Sequence, residues 1–99
     1  MRLYEITNEL LHRRVFEFLR GNGIVKNGAI YSTDYMDMSR GYLNVLLNTN
    51  AEPSRKAYRN LKWKLEEIIA GPYQEETKSE IEKFIYEIDK RLNKNETAS

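Results

Sequence analysis

Five large apolar residues near the end of the chain, Ile81, Phe84, Ile85, Ile88 and Leu92, recur at spacings of three and four. That spacing lines one face of an α-helix and conflicts with the strict alternation of a half-buried strand. A helix with one narrow apolar stripe must bury it, against the rest of its own chain or against a second copy. The stripe therefore demands other helices. Residues 55–70 supply one, with Tyr58, Leu61, Leu65, Ile68 and Ile69 inward, Ser54 as N-cap after Pro53, and Gly71-Pro72 as the stop. Residues 8–20 supply another: Thr7 or Asn8 can cap it, Leu11, Val15, Phe18 and Leu19 share a face, and Gly21 and Gly23 end it.

The middle of the chain is more finely punctuated. Ser32 is positioned to cap a brief helix, Thr33–Met36, and Ser39 a second, Arg40–Asn48, with Leu43, Leu46 and Leu47 inward. Met38 and Leu43 have the spacing of a hydrophobic staple. Only Asp37 and Met38 separate the two helices, which calls for a steep crossing. In residues 24–31, Asn27-Gly28 between two apolar pairs is a hairpin signal, with a loop tucking Ile30 and Tyr31 into the core as the alternative. The fold expected is all-α: a compact bundle of about five helices, with a small β-hairpin or a loop at 24–31. Residues 1–93 form a single domain and 94–99 a disordered tail.

Composition narrows the function. Without Cys there is neither a thiol nucleophile nor a thiolate metal site, and the single His12 has no partner acid evident. His12 reads as an ordinary, partly exposed residue. The carboxylates are spread over solvent faces rather than gathered at metal-ligand spacing, and no glycine-rich phosphate loop occurs. These features argue against an enzyme and call for no cofactor. No apolar run reaches the roughly 20 residues a membrane helix needs, and Glu5 and Glu9 interrupt any leader-like stretch, so a cytoplasmic location is expected. Asn95-Glu96-Thr97 matches a glycosylation sequon that such a location leaves unused.

The formal net charge of +1 conceals an asymmetry. Residues 1–64 carry 11 Lys/Arg against 6 Asp/Glu, residues 65–89 carry 2 against 8, and residues 90–99 carry 3 against 1. The basic front can face an anion and the acidic late segment cannot.

The stretch Met36-Asp37-Met38-Ser39-Arg40-Gly41-Tyr42-Leu43-Asn44-Val45-Leu46-Leu47, followed by Asn48-Thr49-Asn50-Ala51-Glu52-Pro53-Ser54 and then Ala57, Leu61 and Leu65, resembles the helix-turn-helix of lambda-repressor-like (Cro/Xre) DNA-binding domains. Residues 32–65 carry the resemblance, and Asp37 stands where that family has its turn glycine. The resemblance implies a small DNA-binding protein, a transcriptional regulator of phage or prokaryotic type, with residues 40–48 in the major groove of double-stranded DNA. It also implies a homodimer, since such proteins read paired half-sites.

The residues themselves fit that chemistry. With the leucines inward, Arg40, Gly41, Asn44 and Asn48 face out, and Arg and Asn can bond guanine and adenine edges bidentately. Arg55, Lys56, Arg59 and Lys62 are candidate phosphate contacts on the next helix, joined by Lys26, Asn27, Thr49 and Asn50. Asp34, Asp37 and Glu52 oppose DNA unless turned away, and the pI near 7.9 is low for a dedicated DNA-binding domain. Trp63 lies opposite the Leu61/Leu65 face, and Tyr86 lies off the stripe of the last helix. Either the last helix covers Trp63, or it anchors a protein partner. The alternative function is accordingly a non-catalytic, phage-type or accessory adaptor that uses the Trp63 surface or the last helix.

Overall fold

A computed structural model describes residues 10–98, with side-chain environments given through Asn93. Five helices make up the described chain: α1 (Leu11–Gly21), α2 (Gly28–Ile30, continuing as a π-helical turn, Tyr31–Tyr35), α3 (Tyr42–Thr49), α4 (Arg55–Ile69) and α5 (Glu75–Ala98). No strand occurs among the described residues. The proposed caps Thr7 and Asn8 lie outside them. α5 runs past residue 93, where the sequence pattern placed its end.

The ends of the helices show local chemistry at work. α1 closes with Gly23 at φ +73, while Ile24 N–H donates to the Leu19 carbonyl at 2.9 Å and Gly23 N–H to that of Arg20 at 3.1 Å. Those two bonds define a Schellman stop, which glycine enters without a Cβ penalty. α4 starts as expected, with Ser54 Oγ accepting from Ala57 N–H at 3.2 Å.

The hairpin does not form. Asn27 is extended (φ −157, ψ 177), whereas a type I′ turn needs positive φ at both central residues. Its side chain instead accepts from Ile30 N–H at 2.9 Å and caps α2, so the helix starts at Gly28 rather than Thr33. Asparagine serves either role, and the apolar residues that follow decide for the helix.

One core runs through the molecule. Leu11, Val15 and Leu19 from α1, Tyr31 and Met36, Leu43 and Leu46 from α3, and Ala57, Tyr58, Leu61, Leu65 and Ile68 from α4 form one buried cluster with Ile81, Phe84, Ile88 and Leu92 of α5. The α5 stripe is thus consumed within the monomer, mainly against α4 and secondarily against α1. Ion pairs bracket it: Arg14–Glu87 at 3.0 Å from α1 and Lys62–Asp89 at 2.7 Å from α4. The Phe18 and Phe84 rings meet edge-on at 5.6 Å.

His12 is fully buried, contrary to the partly exposed position expected. It follows Leu11 into the core because α1 packs on two sides, and neither ring nitrogen has a hydrogen-bond partner among the described residues. Burial, only partly offset by Glu52, lowers its pKa to about 4, so the ring is neutral at pH 7.

Candidate nucleic-acid interface

α2 and α3 form a pair held by two small residues one helical turn apart. A Cβ on Gly28 would stand 3.1 Å from Leu43 Cδ2, so glycine permits the close approach of α2 to α3. Ser32, fully buried, donates to the Gly28 carbonyl at 2.8 Å and accepts from Leu43 N–H at 3.0 Å. Ser32 therefore caps α3 from across the interface rather than a helix beginning at Thr33. Ser39 does not cap α3 through its side chain. The helix begins at Tyr42 with Gly41 at its N-cap position, and Tyr42 N–H donates to the Ser39 carbonyl at 3.1 Å. Arg40 and Gly41 consequently sit in the turn before α3 instead of its first turn.

The connection between the pair spans Met36 to Gly41, longer than the two residues expected. Asp37 adopts a left-handed conformation (φ 58), which Asp tolerates better than most non-glycine residues. Met36 is buried beside it, and the exposed Asp37 carboxylate lies 3.8 Å from Lys56 Nζ.

Arg40, Gly41 and Asn44 line one shallow concavity together with Gly28 and Ala29 at the start of α2. Lys26 and Asn27, exposed, lead directly into that edge. Asn44, Val45 and Asn48 are exposed along α3, with Val45 57% accessible. Sequence reasoning passed over Val45, although with Leu43 and Leu46 inward a helical wheel already turns it out; an exposed aliphatic residue here can meet a thymine methyl. Thr49 donates back to the Val45 carbonyl at 2.7 Å, and Asn50 (φ 55) is the left-handed residue that ends α3. Both remain exposed.

The cations of α4 divide. Lys56 and Arg59 are exposed, and Arg55 is half-buried with interactions of its own. Lys62 turns away to Asp89 on α5. The three acids that oppose an anion are also dispersed. Glu52 accepts from the Tyr58 hydroxyl at 2.7 Å and lies 3.4 Å from Arg91, Asp37 faces Lys56, and Asp34 lines a depression with Tyr35, Lys64, Glu67 and Tyr73. Trp63 is 65% exposed and Tyr86 equally so; α5 does not cover Trp63, because Lys62 and the buried row of α4 are what it meets. Among the described residues no group of three or more His, Asp or Glu is placed to hold a metal ion, and no helix is long and apolar enough to cross a membrane.

The architecture is that of a small all-α bundle with an exposed, polar short helix at one edge. A family model matches residues 12–98, nearly the whole described chain, and the protein belongs to that family, a family of unknown function (DUF6626). Neither the curated proteins nor the solved structures contain a match to this chain.

Proposed function

We propose that the protein is a small DNA-binding regulator of the lambda-repressor-like helix-turn-helix kind, with α3 entering the major groove. The observation that carries this reading is the exposed face of α3. Asn44, Val45 and Asn48 project from it, while Arg40 and Gly41 stand at its N-terminal end beside the start of α2. An eight-residue helix is about 12 Å long, close to the width of the major groove. Arg40 is the residue best suited to a guanine edge, and among the described residues it is in no ion pair that would have to be broken. Lys26, Lys56 and Arg59 flank as phosphate contacts, with Asn27, Thr49, Asn50 and Arg55 as further donors; Lys62 drops out of that set because Asp89 holds it.

The test is fluorescence anisotropy with random-sequence duplex DNA over a range of salt, followed by selection of a preferred site. Binding that weakens steeply with salt supports phosphate contacts. Arg40→Ala is expected to weaken the selected site by roughly 1–3 kcal/mol while leaving random DNA nearly unchanged. Equal loss on both removes the base-reading role.

A second reading, a protein-interaction adaptor, is favoured by one observation: the exposed Trp63 on the face of α4 opposite the core. Trp63→Ala should then abolish partner capture or self-association with DNA affinity intact.

A further inference from the structure

Trp63 does not stand alone. It lines a depression with Asn60, Lys64 and Glu67, and Lys64 and Glu67 also line the adjoining one with Asp34, Tyr35, Ile68 and Tyr73. The two share Lys64 and Glu67 and so adjoin along α4 as one trough, with Trp63 lining one part and Tyr35 and Tyr73 the other. Its walls are fixed. Asn60 Nδ2 donates to the Tyr35 carbonyl at 3.3 Å, tying the π-helical turn to α4. The Tyr73 ring folds back over Gly71, where an added Cβ would come within 3.4 Å of it.

We propose that this trough docks a cationic segment of a partner protein, seating a lysine or arginine side chain among Trp63, Tyr35 and Tyr73. The proposal rests on the adaptor reading and is independent of the DNA reading, since the trough and the exposed face of α3 share no residue.

Aromatic faces attract cations through the ring quadrupole, most strongly for Trp. The charge around the rings has the matching sign. Glu66 and Glu67 lie in the last turn of α4, the carbonyl end, which itself favours cations, and no basic residue occupies that turn. Asp34 joins from α2, and Glu75 and Glu76 open α5 just beyond Tyr73. Lys64 is the cation within the trough, and its contact with Glu67 is loose at 3.8 Å with both groups exposed, so an incoming guanidinium can replace it. Burial, with Tyr73, Asp34 and Glu67 adding to it, raises the Tyr35 hydroxyl above the usual tyrosine range. At the other end, Lys56 and Arg59 precede Trp63 and limit the acidic stretch to the C-terminal half of α4.

Trp63 is the single tryptophan of the chain, so its emission reports on the trough directly. The probe is a synthetic octapeptide of alternating arginine and glycine, compared with its glutamate counterpart at low and at physiological salt. A saturable change in Trp63 emission with the arginine peptide alone is expected. The double variant Asp34→Asn with Glu67→Gln, which preserves shape, should bind it about tenfold more weakly with an unchanged urea midpoint. Labelled peptide should still bind Trp63→Phe and be lost from Trp63→Ala. Equal response to both peptides, or full affinity in the double variant, overturns the proposal. Absence of peptide binding, with a dimer that Trp63→Ala dissociates, assigns the trough to a second copy; this overturns the cation chemistry but keeps the interface. Absence of both overturns the proposal and the adaptor reading together.

Discussion

Ser32 has no exposure, and its hydroxyl makes two hydrogen bonds: it donates to the Gly28 carbonyl within α2 and accepts from Leu43 N–H across the pair in α3. Ser32→Ala leaves the Leu43 N–H buried without an acceptor, which costs roughly 1–3 kcal/mol. Urea denaturation should register that loss, with α3, and any activity of its face, affected first. His12 makes a different prediction. Its folded pKa of about 4 lies below the unfolded value near 6.5, so the unfolded chain takes up the proton first. Stability from this residue is complete above pH 6.5 and falls as pH drops toward 4, by about 3 kcal/mol in total. Urea midpoints measured across that range should fall more steeply for the wild type than for His12→Leu; parallel curves would contradict a buried, neutral imidazole.

At the level of elements, the α2–α3 connection places a non-glycine residue in the left-handed region. Asp37→Gly relieves that conformation at the cost of an exposed pair with Lys56, which is worth little. The expected outcome is a stabilisation of about 1 kcal/mol or slightly less, read as a higher thermal midpoint. The element boundaries show which signals act locally. Ser54 caps α4 because its acceptor reaches an N–H three residues on, a relation contained in the sequence itself. Ser39 carries the same residue type at a similar position and makes no side-chain cap: α3 starts at Tyr42 with Gly41 at its N-cap position, the Tyr42 N–H three residues on goes to the Ser39 carbonyl, and Ser32 serves Leu43 N–H from another helix. Asn27-Gly28 matched a hairpin, yet Asn27 caps a helix and Gly28 clears space for Leu43.

For the molecule as a whole, the α5 stripe completes the monomer core. Ile88→Ala, at a fully buried position, should cost about 2–5 kcal/mol and leave the oligomeric state unchanged, as followed by denaturation and equilibrium sedimentation. A dimer that dissociates in step with that substitution would mean the stripe also serves between copies. The two surfaces that remain are of different character: the polar edge of α3 beside the start of α2, and the aromatic, acidic trough along α4.

The all-α class, the stripes of α1, α4 and α5, the Ser54 cap and the outward side of α3 follow from the sequence, because helical period and capping act over three or four residues. The partners of Ser32, the burial of His12, the turning of Lys62 to Asp89 and the exposure of Trp63 do not. Each depends on which helix lies across from which, and side chains distant in sequence settle that only when they share one core. A helical wheel tells which way Trp63 points; only the packed bundle shows that among the described residues it stays 65% exposed and that Tyr35 and Tyr73 line one depression with Lys64 and Glu67.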